Sequence, residues 1–232
     1  MRTTDGRTAT GTVHGVPVTS DPDLLIIHGL RVATRPTDTR ELAQAVGLAP
    51  AVVDTRMADL ARTGYVTHRD GNMAGWVHTP EGRAHGEARV AEELDAAGER
   101  EAVADLYQRF LGVNQGFLAL CTDWQLSNVD DQVINDHTDA AHDAAVIARL
   151  VEIDGVAQSI CTELARRIAR FDGYGRRFSE ALRRVVAGEI DWFTGVMMDV
   201  VWIDSYHTVW FELHENLLAT LGIERAKEGE QA

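Results

Sequence analysis

The side chains best equipped for chemistry lie in the second half of the chain. Tyr206, His207, Trp210 and His214 fall close together in one helical stretch, and Trp124 and His137 add another ring and imidazole. At 100° per residue, His207, Trp210, Phe211, His214, Leu217, Leu218 and Leu221 fall within an arc of about 120°. That face is apolar along its length and polar at its tips. Rings that carry one donor or acceptor can line a pocket and orient a small molecule. Trp124, His137, Tyr206, His207, Trp210 and His214 are therefore a candidate ligand site. The alternative is a bundle core in which each imidazole bonds to a backbone carbonyl or a neighbouring carboxylate, as buried polar groups usually do.

Metal and catalytic chemistry fit the spacing poorly. His207 and His214 are two helical turns apart, about 10 Å along the axis, too far to share one ion. His137 and His142 diverge by about 140° around a helix. The chain has no HxxxH or ExxH pair of the di-iron type, and no GxSxG, P-loop or GxGxxG. Cys121 and Cys161 stand far apart and outside any CxxC, which points to buried thiols rather than a zinc knuckle or disulfide framework. Neither a metal, a cofactor nor a catalytic residue is expected.

A second set of candidates faces outward in the first half. The helical stretch after Pro50 places Val53, Met57 and Leu60 at i, i+4, i+7, so Ala51, Thr55, Ala58 and Arg62 fall opposite that apolar face. Small side chains and a hydroxyl can touch thymine methyls or make single hydrogen bonds to base edges. Arg62, at the far end, suits a phosphate. Arg40 is a further phosphate candidate, and Arg69 and Asn72 flank a turn able to reach the backbone or minor groove. Asp54 and Asp59 on or beside the exposed side oppose this, because like charge repels phosphate.

The elements that must position these groups can be read from caps and periods. Residues 1–20 are polar, rich in Thr and Gly, and read as a flexible arm. Asp21-Pro22 starts a helix, whose buried side is assigned to Leu24, Leu25, Ile27, His28 and Val32. Arg35-Pro36 ends it. Asp38 and Glu41 form a capping box for a short helix that stops at Gly47. The helix carrying Val53 follows and closes at Gly64. Tyr65 to Arg69 and Met73 to His78 are β-capable around Asp70-Gly71-Asn72, a hairpin signal, and Thr79-Pro80 restarts helix. Ala96-Ala97-Gly98 marks a junction, dividing residues 21–97 from residues 98–232.

The second part reads as an antiparallel helical bundle. Val103, Leu106, Phe110, Val113, Phe117 and Leu120 recur at three- and four-residue steps. Further helices are predicted from Ala144, Ile147, Ala148 and Val151; from Val156, Ile160, Leu164, Ile168 and Phe171; and from Phe178, Ala181, Leu182 and Val185. Gly155, Gly173, Gly175 and Gly188 punctuate them, and the last helix runs from about Asp204 to Leu221. Trp192 and Trp202 belong to this half too. The fold class is mostly α, an N-terminal winged helix-turn-helix followed by the bundle.

Charge bears on partners. The chain carries a formal net charge of −14, which disfavours phosphate binding in general. Met1 to Asp95 holds 10 Arg against 13 acidic residues, leaving 12 basic and 23 acidic residues in the remainder. The first part is therefore close to neutral and the second strongly acidic. Apolar runs long enough for a membrane span are absent from the sequence, and the first twenty residues lack the apolar run of a signal peptide. A soluble, cytoplasmic protein is expected.

The segment from about Leu24 to Leu94 resembles the MarR-like winged-helix transcription regulators. The likeness rests on ELAQAVGL, on VVDTRMADLARTGYV and on HTPEGRA after the hairpin. It departs from the family at Ala49, usually a Ser or Thr cap, and at His78, usually a leucine. CTDWQL, NDHTDAAHDA and DSYHTVWFELHENLLATLG resemble a helical module of actinobacterial proteins, some of them enzymes of the pyruvate phosphate dikinase type. The first resemblance implies a ligand-responsive transcription regulator that binds double-stranded operator DNA as a homodimer, with a small-molecule effector. The alternative is a regulatory or scaffolding protein whose winged helix binds a protein partner, such as an enzyme of phosphoenolpyruvate metabolism. A small helical enzyme built on the Trp/His cluster is a third reading.

Overall fold

The computed structural model describes residues 16–33, 35–71, 73–129, 131–195 and 203–225. Helix dominates them, as expected for a mostly α chain. In order they form α1 (Pro22–Val32), α2 (Thr39–Val46), α3 (Pro50–Arg62), β1 (Val66–Arg69), β2 (Gly75–His78), α4 (Pro80–Ala97) and α5 (Arg100–Gln125). There follow β3 (Leu126–Asn128), β4 (Val133–Ile134), α6 (Ala140–Arg167), a 3₁₀ turn (Ala169–Phe171), α7 (Tyr174–Val186), α8 (Asp191–Thr194) and α9 (Tyr206–Leu221). The four strands make two separate antiparallel hairpins.

Side chains next to each helix start explain the boundaries in the first part. Asp21 accepts from the Leu24 amide at 3.0 Å, and Asp38 from the amides of Arg40 and Glu41, both at 2.8 Å, satisfying first-turn donors that have no helical acceptor. The reciprocal half of the expected capping box is missing. Glu41 turns instead to Arg35, 2.7 Å away. Thr79 caps α4 by accepting from the Gly82 amide at 3.0 Å, while its hydroxyl donates to the Gly64 carbonyl at 2.7 Å. One side chain thus ties the start of α4 to the turn after α3. Gly82 is required there, because a Cβ would lie 1.9 Å from the Tyr65 carbonyl oxygen.

Two apolar cores result. The first gathers Ile26, Ile27 and Leu30 of α1, Leu42 and Ala43 of α2, Val53, Met57 and Leu60 of α3, and Val66 of β1. The β1–β2 hairpin pairs Val66 with His78 through Arg69 with Gly75, and Trp76 exchanges backbone hydrogen bonds with Thr37 at 3.2 and 2.9 Å. The larger core is built from α5, α6, α7, α8 and α9, with Leu94 of α4.

Several expectations are corrected. On α1 the buried side consists of Leu24, Ile26, Ile27, His28 and Leu30, with Leu25 and Val32 only half-buried. The helix is enclosed by α2, α3, α4 and α9, so one stripe does not describe it. The predicted break at Gly155 is absent, and α6 runs 28 residues through it. The core face of α6 is Val146, Leu150, Asp154, Ala157, Ile160, Cys161 and Leu164, whereas Ala144, Ala148 and Val151 are exposed. Alanine favours helix through its low side-chain entropy cost, not through burial, so exposed alanines do not mark the core face. Residues 16–20, expected in the arm, are anchored: Val18 bonds the Arg167 carbonyl and the Ala169 amide, both at 2.8 Å. Residues 1–15 lie outside the described residues.

The last correction concerns α9. Eleven of its 16 residues are buried, because α1, α4, α5, α7 and α8 all pack on it. A helix enclosed on every side shows no clean stripe. Glu215, Asn216 and Thr220 are buried with the leucines.

Candidate nucleic-acid interface and the aromatic core

The outward candidates are displayed together on and beside α3. Val53, Met57 and Leu60 are at most 5% exposed, which turns Ala51, Thr55, Ala58 and Arg62 to solvent. Thr55 spends its hydroxyl proton on the Ala51 carbonyl at 2.9 Å, so toward a partner it offers an acceptor and a methyl group. Arg62 is held by Asp59 at 2.6 Å. Arg40, in the first turn of α2, and Arg69, at the end of β1, are exposed and carry no ion-pair partner among the described residues. Asn72 lies outside the described residues.

Arg56 belongs to this surface and was missed by the projection. It is exposed, with its Nε 3.7 Å from Asp23, and its place beside Thr55 was the available signal. Farther along, His68 meets Asp70 at 3.2 Å and lies edge-on to Trp76. The exposed cations Arg40, Arg56, Arg62 and Arg69 are matched by Glu41, Asp54, Asp59 and Asp70 on the same elements and turn. The surface is charge-balanced, with small side chains at its centre.

The six ligand candidates are brought together in the larger core. His137 packs on Trp124 at 4.5 Å between ring centroids, and Trp124 on Phe193 at 5.1 Å. Phe117 then joins Phe193, Tyr206, His207 and Trp210, stacking on Trp210 at 4.2 Å. Phe110 contacts Trp210 and His214. Two of the polar tips are occupied from within. Tyr206 donates to Asp154 at 3.0 Å and Trp210 to Asn114 at 2.9 Å.

His137 adopts a left-handed backbone, φ 59°, uncommon for a residue with a Cβ. Its imidazole Nδ1 lies 3.0 Å from Asp143, and its amide donates to Asn135 at 3.0 Å. Burial lowers the pKa of His207 and raises those of Tyr206 and Asp154, so the core favours the neutral form of each. Among the described residues, the six candidates pack against one another and against Phe110, Phe117 and Phe193. Two surface cavities of the described residues lie away from these rings. One is an open groove of about 390 Å³ along α6, lined by Gln158, Ser159, Thr162, Glu163, Arg166 and Arg167. The other, about 10 Å³, lies between α1, α4 and α9 beside His28 and Arg31.

Cys121 and Cys161 are buried free thiols, their pKa values pushed up to about 12 by desolvation. Groups of three or more metal-ligating side chains are absent among the described residues, as are helices long and apolar enough to cross a membrane. Neither a family model, a curated protein nor a solved structure matches the chain.

Proposed function

We propose that this chain is a transcription regulator that binds duplex DNA through a winged helix-turn-helix formed by α1, α2, α3 and the β1–β2 hairpin, with α4 closing the unit. The reading is carried by α3, whose apolar side is locked into the first core while Ala51, Thr55, Ala58 and Arg62 stand clear beside a hairpin. A helix that presents small side chains can approach base edges closely, and the methyls of Ala51, Thr55 and Ala58 suit thymine. Arg40, Arg56, Arg62 and Arg69 are placed to meet phosphates, which orient a protein without specifying sequence. The chain acts as a homodimer on an operator with two half-sites about 34 Å apart, the spacing of successive major grooves. An effector would regulate it only by binding two placements of α3 unequally.

One observation favours a second reading. The cations of this face are balanced by carboxylates, which suits a protein partner better than a polyanion. Selection from a random duplex pool separates the two. The DNA reading predicts enrichment of an inverted repeat with half-sites about ten base pairs apart centre to centre. Absence of any enriched sequence would favour the protein-binding role.

A further inference from the structure

Between the two apolar cores runs a seam of buried polar side chains that the proposed DNA contact does not use. From α1, His28 Nε2 lies 2.8 Å from the Asn216 side-chain oxygen of α9, and Arg31 donates to Glu215 at 2.8 Å. Asn216 continues the chain of bonds. It donates to the Tyr174 hydroxyl at 3.2 Å and accepts from Thr220 at 3.2 Å. Thr220 in turn accepts from Arg170 at 3.0 Å, and Arg170 pairs with Glu93 of α4. Three separate elements of the larger core are thus bonded to the helices that carry α3.

We propose that this seam is a register lock, fixing where α3 stands relative to the larger core, and that its role is placement rather than stability. Apolar contact is non-directional, so leucines alone would tolerate a shift of α1 along α9. A slide of one helical turn, about 5.4 Å, would part His28 from Asn216 and Arg31 from Glu215. Buried groups left without partners are costly, whereas replacing both partners by apolar groups of similar shape is close to neutral. The lock therefore selects one arrangement without being needed to hold the halves together. Asn216 acts as a positioning residue for α3 through His28, whatever α3 meets.

The test uses the full chain with spin labels at Ala58→Cys on α3 and Val186→Cys on α7, both exposed, while Cys121 and Cys161 are buried. Distances between the labels are measured by double electron–electron resonance, alongside urea midpoints. The unmodified seam should give one narrow distance. Asn216→Leu, which strands His28, should lower the midpoint. His28→Leu with Asn216→Leu should bring the midpoint part of the way back toward the parent value, the hydroxyls of Tyr174 and Thr220 still lacking Asn216, yet at least double the width of the distance distribution. A narrow distance in the double variant, a midpoint as low as that of the single variant, or a broad distribution in the parent would each overturn the proposal. DNA is absent from every arm, so failure here is distinct from failure of the DNA reading.

Discussion

The core around α9 and the face around α3 treat polar groups in opposite ways. Around α9, Tyr206, Trp210 and Asn216 spend their polar atoms on fixed partners inside the protein. On α3 the polar groups are exposed and weakly held, with Arg62 and Asp59 sharing a pair between side chains 76% and 54% exposed. An exposed pair of this kind contributes at most about 1 kcal/mol and is readily exchanged for another anion. Fully bonded polar groups specify a structure; loosely held ones leave a surface open to a partner. The chemistry-rich residues of this chain belong mainly to the first class, and the plainer residues of α3 to the second.

The contrast can be broken most severely in the aromatic core. Phe117 is fully buried against the rings of four residues, so Phe117→Ala should cost about 3–5 kcal/mol in urea unfolding, as large core truncations do. A loss below about 1 kcal/mol would mean that the rings are not packed as described.

The pH dependence of the seam gives an effect of similar or smaller size. Burial foremost, with Arg170 and Arg31 nearby, lowers the pKa of His28 from 6.5 to about 3. The unfolded chain takes up this proton below pH 6.5 and the folded chain does not. The associated stability is therefore complete above pH 6.5 and lost as pH falls from there toward 3, on the order of a few kcal/mol at about 1.4 kcal/mol per unit. Urea midpoints across that window should fall more steeply for the parent chain than for His28→Leu with Asn216→Leu. Equal slopes would show that His28 is not held neutral.

At the junction of the hairpin and α4, Thr79→Ala removes the cap that also binds Gly64 and should cost about 1 kcal/mol. The smallest effect on stability belongs to α3 itself. Arg62→Ala should change the urea midpoint by less than about 0.5 kcal/mol, as exposed substitutions do, yet weaken duplex DNA binding. Asp59→Asn, which frees Arg62 and removes a negative charge, should strengthen that binding. A destabilised Arg62→Ala chain would erase the distinction between the two regions.

The first part was the more legible in sequence, because caps and turns are local. Asp21, Asp38, Gly47 and Thr79 mark helix ends through bonds to their own neighbours, and Val53, Met57 and Leu60 lie on a helix buried on one side only. The second part was obscured by its own burial. With α9 enclosed on all sides, its two histidines and Trp210 could be assigned to a pocket or a core, and the packing of Phe117, Phe193 and Asp154 around them was not legible in the sequence. The phase of α6 was hidden by exposed alanines, and α8 is too short to show a period. His28 was correctly assigned to a buried side of α1, but its partner Asn216 lies 188 positions away, beyond any local pattern.

The proposal that α3 meets DNA is tested most directly by the salt dependence of duplex binding, measured by fluorescence anisotropy on a selected sequence. Each phosphate neutralised releases counterions, so the logarithm of the binding constant should fall linearly with the logarithm of salt, with a slope of about −0.9 per contact. Arg40, Arg56, Arg62 and Arg69 in two copies of the chain set an upper slope of roughly −7 on that basis, and Arg62→Ala should make it shallower by about two units in a dimer. Absence of binding at low salt, or binding indifferent to salt and to Arg62→Ala, would contradict the account.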